Sequence, residues 1–140
     1  MTSEEWRTFF TIASRNLRET LKSEALEAMA SDAPIHRSTY CAWTTFERLG
    51  FHTIYWNSGL PDEDDLRQDG LRDGCAWGQP FLYAEIAHVL VPASFLEEYH
   101  RNHTYIQWTH TQDINGLSRL LENAKIPHLL HATFLELRLY

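Results

Sequence analysis

The sequence predicts an α+β fold: a mainly antiparallel sheet of five or six strands packed against a long N-terminal helix and a shorter later helix. Three observations point there. The N-terminal segment carries apolar residues at helical spacing, the middle and the end carry short aromatic and β-branched runs broken by turn residues, and one further helical pattern follows Asp113. The 140 residues have the length of one ordinary domain, and no internal repeat, low-complexity tract or linker divides them, so 1–140 is read as a single unit.

Thr2 and Glu5 have the spacing of a capping box, which satisfies amide donors at a helix start. From there Trp6, Phe9, Phe10, Ala13, Leu17, Leu21, Ala25 and Ala28 recur at three- and four-residue steps, while Arg7, Arg15, Arg18, Lys22 and Glu27 fall on other faces. The helix is expected to run to Ala30 or to break near Ser23, and Ser31-Asp32-Ala33-Pro34 ends it, because the residue before a proline is pushed out of the helical region.

Thr39 to Phe46 and Phe51 to Trp56 read as two strands, with Glu47-Arg48-Leu49-Gly50 as a hairpin turn that places Gly where a left-handed conformation is wanted. Phe81 to Val91 reads as one central strand, apolar on both faces. Phe95 to Tyr99 suggests a helical turn, and His103 to His110 a strand. Asp113 is placed to cap a helix with Leu117, Leu120, Leu121 and Ala124 on one face, closed by Pro127. His128 to His131 reads as a short strand. Phe134 to Tyr140 alternates Leu with Glu and Arg as a half-buried strand does, and at the chain end it is a candidate exposed edge.

Between these elements, residues 59 to 80 stand apart. Asp62, Glu63, Asp64, Asp65, Asp69 and Asp73 against Arg67 and Arg72 leave a surplus of four negative charges, more than half of the formal net charge of −7. Four glycines and two prolines predict an irregular excursion, with one short helical turn around Asp62 to Arg67. Connections of this length inside one domain tend to be functional or disordered. Leu60, Leu66, Leu71 and Trp77 are interleaved with the acids, unlike a purely solvating tail.

Composition excludes several classes. No stretch approaches the roughly 20 apolar residues of a membrane span, and the acidic balance opposes direct binding to a nucleic-acid backbone. With no leader pattern and with two separate cysteines, Cys41 and Cys75, read as free thiols, a cytoplasmic protein is expected. Eight histidines raise metal binding. Yet His100-x-x-His103 with His110, and His128-x-x-His131, match neither a His-Glu-x-x-His helix nor a Cys/His knuckle. A calcium loop beginning at Asp65 fails at Arg67 and Ala76, where oxygen ligands are required. No cofactor is called for.

Two function classes remain. In one, a small enzyme or ligand-binding domain uses Glu85 and His88, three apart in the most apolar strand, or the His100, His103 and His110 group. In the other, carboxylates around aromatic anchors form a protein-binding patch complementary to a basic partner. A small acidic single domain without a catalytic motif and with a concentrated acidic patch resembles the immunity proteins that bacteria make against the toxins of contact-dependent and interbacterial competition. The resemblance lies in size and charge across the whole chain. It implies no enzymatic activity but inhibitory binding to a basic toxin, often a nuclease, with Asp62, Glu63, Asp64, Asp65, Asp69 and Asp73 supplying the electrostatics and Trp77 and Trp56 the anchors. Homodimerisation through the aromatic strands is compatible with either class.

Overall fold

The helix start at Thr2 and Glu5 is built as expected. The Thr2 N–H donates to Glu5 Oε2 at 2.6 Å and the Glu5 N–H to Thr2 Oγ1 at 3.2 Å, which satisfies two donors at the entry to α1 (Ser3–Met29). A computed structural model describes residues 1–29, 39–51, 55–56, 59–72, 79–101 and 103–140, with the backbone alone at 19–29, 51, 55, 56, 99–101, 104, 106 and 108. The expected helix end at Ser31 to Pro34, and also Asp73, Cys75 and Trp77, lie outside the described residues. Trp56 is described by its backbone.

The chain continues through β1 (Ala42–Thr45), β2 (Tyr55–Trp56), β3 (Gly70–Arg72), β4 (Pro80–Leu82), β5 (Ile86–Pro92), β6 (Ser94–Arg101), β7 (Thr104–Thr111), α2 (Ile114–Asn123), β8 (Leu129–Leu130) and β9 (Phe134–Arg138). Five strands form one sheet in the order β2-β1-β5-β9-β8, and β3-β4 and β6-β7 form two small two-stranded sheets. Every pairing is antiparallel. The expected α+β architecture, with its long first helix and shorter second one, is the observed one.

The core lies between the main sheet and the two helices. Trp43, Val89 and Leu137 share one row of the sheet by register. They join Trp6, Phe9, Phe10, Ala13 and Leu17 of α1 and Ile114, Leu117 and Leu121 of α2 in one buried cluster. Phe10 is its hub, packed within ring-contact distance of Trp6, Phe9, Trp43 and Tyr83. Asp113 caps α2 as expected, accepting the Gly116 N–H at 2.8 Å. Leu120, expected on the core face, is exposed.

Several expectations are corrected, each where tertiary pairing outweighs local pattern. Phe81 to Val91 is not one strand: β4 pairs with β3, a 3-10 turn at Tyr83–Glu85 follows, and β5 then enters the main sheet. The corner is closed by the Glu85 carboxylate, which accepts the Leu82 N–H at 3.2 Å. The expected turn after β1 lies in a 3-10 helix, Phe46–Phe51, and Gly50 is not in the left-handed region, while residues 52–54 of the expected second strand lie outside the described residues. Phe95 to Tyr99 is strand rather than helical turn, since β6 pairs along its length with β7. The 59–80 excursion is less irregular than its glycines suggest, because Gly70–Arg72 is paired with Pro80–Leu82. Gly70 is needed there for closeness: a Cβ would overlap the Phe81 carbonyl. Finally, β9 lies between β5 and β8 and is no edge. Among the described residues no helix is long and apolar enough to cross a membrane.

Candidate functional site

The acidic segment is docked on α1. Arg15 and Arg18, three apart on one helix face, meet Glu63 and Asp62: Arg15 Nε donates to Glu63 Oε1 at 2.5 Å and Nη2 to Oε2 at 3.0 Å, and Arg18 pairs with Asp62. The hydrogen bond from Arg15 holds the Glu63 carboxyl below its usual range. Both partners are exposed, so the pair contributes little to stability and mainly sets position. The 3-10 turn Glu63–Asp65 starts at Asp62, whose N–H donates to Asp65 Oδ2 at 3.2 Å. That turn meets the short helical turn expected here.

Apolar anchors hold the segment from beneath. Leu60 and Leu71 are buried, and the Leu60 N–H donates to Thr39 Oγ1 at 3.3 Å. Tyr83 acts as a post: its N–H donates to Asp69 O at 2.9 Å and its hydroxyl to Arg67 O at 3.3 Å. Burial pushes the Tyr83 phenol up to about 12, so it stays a donor across the ordinary pH range. Asp64, Arg67, Gln68 and Asp69 stand exposed on top. Of the described acids, Asp62 and Glu63 are matched by α1, leaving Asp64, Asp65 and Asp69 as the charge available to a partner. The arginines that tether the segment were present in the sequence as an i, i+3 pair, but nothing in the sequence says which acids they meet.

A second cluster lies on the other face of the sheet. Glu136, buried, places Oε1 2.8 Å from His88 Nε2 and Oε2 2.9 Å from His131 Nε2. His88 Nδ1 lies 3.3 Å from the Tyr140 hydroxyl, and the Arg138 guanidinium sits over the Tyr140 ring at 5.0 Å. Burial pushes the Glu136 carboxyl up, but the hydrogen bond from His131 and the charge of His88 outweigh it, and the group is held below its usual range. His88 stands in this strand, and the sequence sets Glu85 as its acid/base partner against a Glu bonded to a neighbouring strand and a His at the sheet rim. Glu85 instead caps its own turn and lines an open cleft of about 360 Å³ with Thr45, Phe46, Glu47, Arg48 and Phe81. The alternation Leu135-Glu136-Leu137 predicts a half-buried strand, and nothing in it signals that Glu136 is buried.

The other histidines whose side chains are described do not converge. His103 is exposed at the tip of the β6-β7 hairpin and His110 is at its base, bonded to Glu97 at 2.6 Å. Seven residues of strand separate them by about 23 Å, so His103 and His110 do not meet at one site; the side chain of His100 lies outside the described residues. His128 Nε2 lies 2.7 Å from Ser118 Oγ and Nδ1 2.8 Å from Ile126 O, a latch between the chain and α2, while His131 belongs to Glu136. Among the described residues no three His, Cys, Asp or Glu side chains form a group that could hold a metal ion. Cys41 is buried and free. No family model, curated protein or solved structure matches the chain.

Proposed function

We propose that this domain works by binding a basic protein through the Asp62–Asp69 platform, as an inhibitor of the immunity-protein kind whose partner is a toxin with a phosphate-holding cleft. The observation that supports this reading is preorganisation. Asp62 and Glu63 are tethered to α1 by Arg15 and Arg18, and the segment that carries Asp64, Asp65 and Asp69 is seated on Leu60, Leu71 and Tyr83, so little ordering entropy is lost when a partner docks. Carboxylates held in place steer encounter with a basic surface. Aromatic anchors from Trp56 and Trp77 belong to the same reading.

The test uses a variant that leaves the tethers intact, Asp64→Asn with Asp69→Asn. A partner captured by the wild-type chain from its source organism is purified, its toxic activity is assayed with and without this protein, and association rates are measured at low and moderate salt. The wild type inhibits near stoichiometry, and the variant associates several-fold more slowly with a flatter salt dependence. Equal rates and equal salt slopes would remove the platform from the mechanism.

A second reading rests on the Glu136 cluster. A buried carboxylate between two imidazoles, with a phenol on one of them, is an arrangement able to hold or move a proton at His88 Nε2. In this reading a small molecule is retained through purification, and Glu136→Gln releases it while the protein stays folded.

A further inference from the structure

The β6-β7 hairpin is a two-stranded sheet of eight residues per strand, about 26 Å long, paired with no third strand among the described residues. It joins the domain at its base, where the Gln112 N–H donates to Ala93 O at 2.7 Å and Tyr40 stacks on Phe95 at 5.3 Å. Isolated two-stranded ribbons are marginal in water. Among the described residues the other edge strands are short: β2 and β8 have two residues each and β3 and β4 three each.

The two long edges differ in chemistry. The strand β7, Thr104-Tyr-Ile-Gln-Trp-Thr-His-Thr111, contains no Asp, Glu, Lys, Arg, Pro or Gly, and most of it is β-branched or aromatic. It carries none of the devices by which natural edge strands block pairing. By contrast β6 carries Glu97, Glu98 and Arg101.

Backbone direction is fixed by the register. The bond from Gln112 N–H to Ala93 O sets the parity of the ladder. Trp108 and His110 therefore turn their backbone groups toward β6, and Gln107 and Thr109 turn theirs outward.

We propose that β7 pairs antiparallel with β7 of a second copy of this chain, giving a continuous four-stranded sheet β6-β7-β7-β6. Outward groups must meet outward groups, so the two-fold axis falls at Gln107 or at Trp108. Centred on Gln107, the register places position 106 of one copy opposite position 108 of the other, twice, and sets no two charged residues opposite each other. Self-pairing through β6 is opposed, because centring on Glu97 or Glu98 sets a carboxylate opposite itself. Pairing β6 with β7 of another copy is heterologous and closes only as a ring, whereas the β7 pair is isologous and closes as a dimer.

The experiment is sedimentation velocity on the full chain across a concentration series, with two proline variants. Thr109→Pro removes an outward N–H from the β7 edge, and Leu96→Pro removes one from the β6 edge; neither donor belongs to the hairpin's own ladder. A wild-type dimer, weakened tenfold or more by Thr109→Pro and unchanged by Leu96→Pro, is the expected result. A wild-type monomer throughout the series, or equal loss in both variants, overturns the proposal. If Thr109→Pro lowers the melting temperature, Gln107→Lys decides instead: it sets like charges close together at the two-fold axis, and a Gln107→Lys dimer as tight as wild type also overturns the proposal.

Discussion

Glu136 stands opposite Leu90 in the sheet ladder, yet its carboxylate reaches diagonally to His88, with Oε1 2.8 Å from Nε2. The other oxygen goes to His131, so one buried carboxylate joins β5, β9 and the turn after β8.

Replacing Glu136 by Gln should cost about 1–3 kcal/mol near neutral pH, since two imidazoles lose a charged acceptor. The pH dependence has a definite sign. The folded carboxyl is held below its usual range, so its contribution is complete above the unfolded value, about 4.3 for Glu, and is lost as pH falls through the folded value. Thermal melts followed by circular dichroism between about pH 6 and about pH 3 should show a steeper fall for the wild type than for Glu136→Gln. Parallel curves would assign the acid limb to other groups.

Gln112 behaves like a short piece of strand. Its Oε1 accepts the Tyr40 N–H at 2.8 Å, and its Nε2 donates to Tyr40 O at 2.9 Å and to Pro92 O at 2.7 Å. It is itself buried. Ala at this position leaves partly buried backbone groups of Tyr40 and Pro92 without these partners, for a loss of about 1–3 kcal/mol, readable from urea unfolding. Hydrogen exchange should quicken first at Tyr40 and at the base of the β6-β7 hairpin.

Phe10 is fully buried at the centre of the aromatic cluster, against Trp6, Phe9, Trp43 and Tyr83. Phe10→Ala removes those contacts and leaves a cavity between α1 and the sheet, with an expected loss of about 3–5 kcal/mol. Chemical denaturation of the two proteins measures it. A loss below about 1 kcal/mol would mean that α1 does not anchor the core.

Cys41 is fully buried, and burial pushes its thiol well above the usual range. With Cys75 replaced by Ser, the native protein should react with a thiol reagent only as fast as it opens, orders of magnitude more slowly than the unfolded chain. Rapid native labelling at neutral pH would contradict the packing around β1.

Much of this fold was legible because it is written locally. Thr2 and Glu5 announce the start of α1, Asp113 announces α2, and Trp6, Phe9, Phe10, Ala13 and Leu17 trace a face that any helix would bury. Such signals depend on spacing of three or four residues within one element. The site was less legible. Asp62 and Glu63 were visible as charge, but their partners Arg15 and Arg18 lie more than forty residues away along the chain.

By itself, then, the sequence determined the α+β class, both helix starts and the concentration of acid between Gly59 and Pro80. Tertiary structure alone decided four things. It broke Phe81 to Val91 at Tyr83, because β4 is claimed by Gly70–Arg72 while β5 is claimed by β1 and β9. It drew Phe95 to Tyr99 into a hairpin rather than a helical turn. It buried Glu136 with two histidines where alternation implied solvent, and it seated Asp62 and Glu63 on α1. Strand pairing and ion pairing are contacts between distant residues, and their free energy depends on which neighbour the whole chain brings near, a quantity that no local run of residues contains.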